Sequence, residues 1–314
     1  MILRSSDDRV VTVLTLGGRE VGLGNCEVIV KAICLTNDKK VAPNVRRRIL
    51  LAGAAATFGI VLAAGPAYAS TTTNWPYSLG TSGYDVSYPQ CSVASSYPTN
   101  FSGFAIIGVG DGRPFTANPC VKAEWGAALT AQASSISIYI NTGNSGAYGH
   151  DITAACAAHV PSIYSRKLAQ AWEIGCSEAD YAFATASLDG VTPAKPASAS
   201  SDLNLGGGMW WADVENGNSW STNTALNQAT IEGVTDELSN PVNPSYTGFG
   251  GLPVGVYSNT TFWSKITGSS SWSPSTSNAD WYAGSSCSSS FDGKSVWVAQ
   301  YGTTSTAGDP DTAC

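Results

Sequence analysis

From residue 83 onward, short apolar runs alternate with segments of helical period. GYDVSYP (83–89) predicts a strand. FAIIGVG (104–110) is a continuous apolar run bounded by glycine, as in a strand buried on both faces. SISIYIN (135–141) is rich in β-branched residues and predicts a third strand. GMWWADVE (208–215), PVGVYSN (253–259), DWYAG (280–284) and VWVAQYG (296–302) predict four more. Helices are expected between them. CVKAEWGAALTAQ (120–132) opens after Asn118-Pro119, where a helix start is favoured. SEADYAFATASLDG (177–190) has Ser177 as N-cap and Gly190 as stop. NTALNQATIEGVTDELSN (223–240) and TFWSKITG (261–268) complete the set. Residues 191–208, rich in Pro, Ser and Gly, read as a loop.

Strand and helix in repeated alternation predict a parallel α/β fold. The last strands lack helical patterns between them. A (β/α)8 barrel of the TIM type with irregular final units fits best, and a doubly wound open sheet is the alternative. That alternative is weakened because neither GxGxxG nor a P-loop occurs.

Upstream, the pattern is of another kind. Residues 46–69 read RRRILLAGAAATFGIVLAAGPAYA: three arginines, an uncharged apolar stretch, then Ala67-Tyr68-Ala69. This is the layout of a secretory signal peptide. Its apolar part, 49–64, falls short of the roughly 20 residues of a membrane span. The 45 residues before it show no clear amphipathic period, and they are expected to be a mis-assigned or disordered extension. Initiation at Val41 or Val45, on a GTG codon, would put the signal segment at the N-terminus. Residues 70–82 are Ser/Thr-rich and predict a flexible lead-in, which leaves 83–314 as one exported domain.

Within 70–314, 7 Lys and Arg face 18 Asp and Glu, a net charge of −11. Such a surface argues against a nucleic-acid partner. Once the signal segment is removed, no membrane association is expected, and the chain is expected to work as a monomer. Six cysteines remain there: Cys91, Cys120, Cys156, Cys176, Cys287 and Cys314. An even count in an exported chain reads as three disulfides, and pairing of sequence neighbours is the simplest of the 15 arrangements. With no CxxC pair, and no zinc-ligand spacing at His150 or His159, no metal is expected. No cofactor is implied either.

Candidate chemistry centres on WWADVEN (210–216). Side chains alternate along a strand, so Asp213 and Glu215 point the same way, at the strand end where a barrel carries its active groups. Two acids so close repel when both are ionised, and one of them should hold its proton to higher pH. Asp85, Asp111, Asp309 and Asp311 lie at or near other strand ends. Asp111, between two glycines, suits a turn better than a site. Trp211, Tyr139, Tyr257, Trp281 and Tyr301 fall in or beside strands, and their rings could stack on sugars. Trp210 and Trp211 must face opposite ways, one toward the helices and one into the barrel. Histidine-based nucleophilic schemes are poorly supplied, since only His150 and His159 exist.

In the order in which they occur, GYDVS (83–87), WWADVE (210–215), GVYS with Trp263 (255–263), and WVAQY with DPD (297–311) resemble glycoside hydrolase family 25, the Chalaropsis-type lysozymes. The resemblance spans 83–314. It implies a barrel with an irregular end, and cleavage of the β-1,4 bond between N-acetylmuramic acid and N-acetylglucosamine in peptidoglycan. It further implies Glu215 as general acid/base and Asp213 as its assistant, toward the substrate's acetamido group or the transition state. Asp85 would lie on the floor of the site, and Asp311, in preference to Asp309, would be the late aspartate. Tyr84 before Asp85, the six cysteines and the 191–208 loop depart from the family's pattern. They leave open a glycosidase acting on another polysaccharide, such as chitin or fungal wall, or a glycan-binding protein without activity.

Overall fold

The structure, a computed structural model, describes residues 3–4, 10–11, 76–91, 103–191, 208–302 and 308–314. The expectations for 1–45, for the signal segment 46–69 and for most of the 191–208 loop lie outside the described residues. The chain divides into two compact units, Met1–Ala67 and Tyr68–Cys314. In the first, Leu3–Arg4 pairs antiparallel with Val10–Val11.

The second unit is a closed eight-stranded barrel. Its strands are β1 Ser82–Val86, β2 Phe104–Gly108, β3 Ser135–Asn141, β4 Trp210–Asp213, β5 Val254–Ser258, β6 Ala279–Ala283, β7 Val296–Gln300 and β8 Asp309–Ala313. Neighbours from β1 to β7 pair in parallel. β8 runs antiparallel between β7 and β1 and closes the ring. The sequence does not announce this last strand. DPDTA has none of the aromatic or branched side chains that favour strands, except one threonine, and it carries a proline. Edges on both sides supply its partners.

Around the barrel lie α1 Val121–Thr130, α2 Ala154–His159, α3 Arg166–Asp189, α4 Thr224–Ser239 and α5 Thr260–Thr267. α3 is the main correction to the helix expectations. It begins at Arg166 after Ser165, not at Ser177, and stops at Gly190 in the left-handed conformation as expected. Ser177 lies inside it, buried, with its hydroxyl donating to the Glu173 carbonyl. That hydroxyl also accepts from the Thr153 backbone N–H, so its polarity serves packing rather than capping.

Period-two alternation sorts each strand into two environments. Ala105, Ile107, Ile136, Ile138, Ile140, Trp210, Ala212 and Val254 pack outward with Phe183 and Val234 of the helices. Phe104, Ile106, Met209, Trp211, Ala279, Trp281 and Val298 fill the interior with Tyr77. The two adjacent tryptophans therefore part as expected. The Trp210 ring meets Phe183 edge-on at 5.1 Å, and the Trp211 indole donates to the Tyr77 hydroxyl at 2.9 Å. Tyr77 is 1% exposed and also bonds Ser137 at 2.6 Å, so the predicted flexible lead-in is already packed into the barrel at this residue. Gly255 is small because a Cβ there would lie 2.1 Å from the Trp211 ring.

α3 and α4 touch backbone to backbone. A Cβ on Gly175 would sit 1.9 Å from the Thr230 carbonyl oxygen, and one on Gly233 would sit 2.2 Å from that of Trp172. Gly175→Ala is therefore expected to force the helices apart and destabilise the fold by about 3 kcal/mol, against the gain in helix propensity. Chemical denaturation measures this, and an unchanged midpoint would contradict the close approach. Disulfides staple the periphery: Cys91–Cys120 at the start of α1, Cys156–Cys176 between α2 and α3, and Cys287–Cys314 at the end of β8. No helix among the described residues is long and apolar enough to cross a membrane.

Candidate active site

At the carboxyl ends of the parallel strands the interior turns from apolar to acidic. A cavity of about 190 Å³ opens there, lined by Asp85, Tyr139, Asp213, Glu215, Tyr257, Trp281, Gln300 and Asp309. Seven strands contribute to it directly, all but β2, and Glu215 comes from the residues just after β4. β8 brings an acid to this end only because it runs backwards. Its first residue, Asp309, sits opposite Asp85, and Asp311 sits one pleat deeper opposite Gly83.

The carboxyl groups are held by neutral donors. Asn141 Nδ2 donates to Asp213 Oδ2 at 2.6 Å. Gln300 Nε2 donates to Asp85 Oδ2 at 2.8 Å, while its Oε1 accepts from the Tyr257 hydroxyl at 2.7 Å. Trp281 Nε1 donates to Asp311 Oδ1 at 2.9 Å. Asp311 also hydrogen-bonds the Asp85 carboxyl, which requires a proton between two acids. The indole of Trp220 donates to the Glu215 carbonyl at 2.8 Å and fixes the turn that carries it.

Burial dominates the electrostatics. It pushes Asp85 up to about 8, helped by the charge of Asp309 and opposed by the Gln300 bond. Asp213 is raised well above the ordinary range by burial and then by Glu215, with Asn141 pulling the other way. Burial alone raises Glu215, which remains partly open to solvent. Asp311, fully buried, is raised by burial and by Asp85. Several acids thus crowd one cavity, and protons rather than cations relieve their repulsion. Among the described residues, no lysine or arginine forms an ion pair with Asp85, Asp213, Glu215 or Asp311. Such a site can deliver a proton to a bound oxygen and stabilise positive charge that develops beside it.

Of the residues expected from sequence, Glu215, Asp213, Asp85, Tyr139, Tyr257 and Trp281 meet at the cavity. Three do not. Trp211 is fully buried beneath it, its indole spent on Tyr77, so no face is open to a ligand. Asp311 lies under the floor at 0% exposure, and Asp309 takes the cavity wall instead, the reverse of the expected preference. Tyr301 is half exposed and outside the lining, because the strand ends at Gln300. Asp111 sits exposed in its turn, its N–H bonded to Thr116.

Asn141 and Gln300 escaped the sequence reading. Their signal was the alternation itself, since Asn141 shares a face with Tyr139 and Gln300 with Val298. As for metals, Cys156, Cys176 and Glu237 come together among the described residues, but both sulfurs are committed to a disulfide.

No protein-family model matches the chain, and no curated protein matches it. Among solved structures it is similar to the catalytic domain of an endolysin from a bacteriophage of Listeria monocytogenes, at 12% identity over 75% of this chain and 94% of that one, with a TM-score of 0.42. It is also similar to a family 25 glycosyl hydrolase from Bacillus anthracis, at 12% identity over 76% of this chain and 89% of that one, with a TM-score of 0.38.

Proposed function

We propose that the chain is an exported glycoside hydrolase of the lysozyme type, cleaving the β-1,4 bond that follows N-acetylmuramic acid in peptidoglycan. One observation carries this reading. Asp213 and Glu215, from the end of a single strand, open onto a cavity that also receives Asp85 and Asp309. Paired carboxyls of unequal environment are the working parts of glycosidic cleavage.

Partial burial strengthens Glu215's hold on its proton, and the residue faces the cavity. It protonates the leaving glycosidic oxygen. Positive charge then grows at the anomeric carbon, where the carboxyl oxygens of Asp213 and Asp85, whether or not their groups are ionised, present negative partial charge to it. In the second step Glu215, now a carboxylate on the face the leaving group has vacated, takes a proton from a water that attacks from that same face, so the anomeric configuration is retained. Asn141 and Gln300 hold the two aspartates in place. The Tyr139 and Tyr257 rings at the wall give a sugar ring apolar faces to lie against.

The test is mass spectrometry of fragments released from purified peptidoglycan. Muramic acid at the new reducing ends is expected. Glucosamine there, or release only from chitin or fungal wall, would replace the substrate. Retention of glycan without any new reducing end would replace the activity by binding.

A further inference from the structure

A second pocket of about 200 Å³ lies outside the catalytic cavity, between α3, the turn at Pro244–Phe249 and the loop after β2. Asp180 on its wall is 2% exposed. Its Oδ2 accepts from Thr153 Oγ1 at 2.8 Å and Asn243 Nδ2 at 3.4 Å. Its Oδ1 is buried and meets no N–H or hydroxyl donor. The remaining neighbour is Glu237, another acid, which hydrogen-bonds Asp180. Burial first, then the charge of Asp180, pushes Glu237 up to about 8. Among the described residues, no basic side chain forms an ion pair with Asp180. A nearly buried carboxylate without a countercharge is costly unless a cation arrives.

The rest of the lining suits that cation. Phe115, Tyr181 and Tyr246 present aromatic rings, and Asp151 adds a second acid. Phe115 and Tyr181 meet edge to face at 6.1 Å. Phe115 has φ +56°, a left-handed backbone that bulky residues rarely take, and its ring rests also on Tyr148 at 5.4 Å. Ring faces around an anion are the recognition chemistry of an ammonium group.

We infer that this pocket binds a primary alkylammonium, with Asp180 as its counter-ion and Tyr181 and Phe115 as its aromatic walls. The ligand class is a diamino-acid side chain or a free alkylamine. The site stands apart from the cleft chemistry, although Phe115 and Tyr181 also line a small gap with Asn141 and Glu178.

The full disulfide-bonded chain, titrated with n-butylammonium chloride, is expected to show saturable amide shifts at 177–184 and 243–246, with a Kd on the order of millimolar. 1-Butanol is the neutral control and should not saturate. Tyr181→Leu alters a partly exposed position on α3, keeps helix propensity, and is expected to weaken binding about fivefold. Asp180→Asn should weaken it about tenfold or more. If Asp180→Asn fails to fold, Tyr181→Leu decides. An unchanged Kd in Tyr181→Leu, equal binding of butanol, or no saturable shift would overturn the assignment.

Discussion

Glu215→Gln is expected to lower peptidoglycan hydrolysis by about a thousandfold or more, the size of a lost general acid together with the base it becomes. The amide fills the same volume and cannot give up a proton to the leaving oxygen. It also removes one ionisable group from a crowded cavity, which relieves Asp213 of its largest like-charge neighbour. Thermal stability should therefore stay level or rise. That combination separates chemistry from folding: an inactive variant that melts at or above the wild-type temperature supports the role. Activity retained within tenfold would remove Glu215 from it. In wild type the acid must be protonated before cleavage, so the rate should fall on the alkaline side of Glu215's raised pKa.

Melting temperature is expected to fall as pH rises from about 5 to about 8, by roughly 10 °C. The cause is the set of buried acids. Asp85, Glu237 and Asp280 are each pushed up to about 8 and Glu124 to about 7, in every case chiefly by burial. Asp213, Asp311 and Glu178 are also raised, for the same first reason. Each folded-state value lies above the value in the unfolded chain, near 4. The folded state then binds more protons between the two values, so its advantage is complete below about pH 4 and is lost as pH climbs through 7 and 8. The acidic surface works in the same direction, since its self-repulsion grows as carboxyls ionise. Calorimetry at constant ionic strength across this range measures the effect. A melting temperature that rises toward pH 8 would mean that these acids are paired with cations or open to water.

Much of the barrel was legible because its strands are strongly patterned. SISIYIN gives β3 from end to end, since every second residue must be apolar to meet the helices. WWADVE places two acids on one face by strand geometry alone. What the pattern concealed follows from the same physics. The Pro and Asp of DPDTA oppose strand formation locally, and β8 exists because β7 and β1 each leave an edge for it. The helix start at Arg166 was hidden because the buried residues of α3 mix Trp172 and Ile174 with Gly175, Ser177, Glu178 and Asp180, which blurs the apolar period. Trp211 reads as a ring that could stack on a sugar and lies beneath the cavity instead, because height along a strand cannot be counted without knowing where the barrel closes.

The sequence by itself determined the alternating architecture, the acidic surface and the pairing of Asp213 with Glu215 on one face. Only the tertiary structure decided that β8 runs backwards. With it came the choice of Asp309 for the cavity and Asp311 for the floor, and the recruitment of Asn141 and Gln300 as holders. The physical reason is closure. Local periodicity assigns a side chain to inside or outside, whereas its depth and its neighbours depend on register between strands far apart in the chain, which no local pattern encodes.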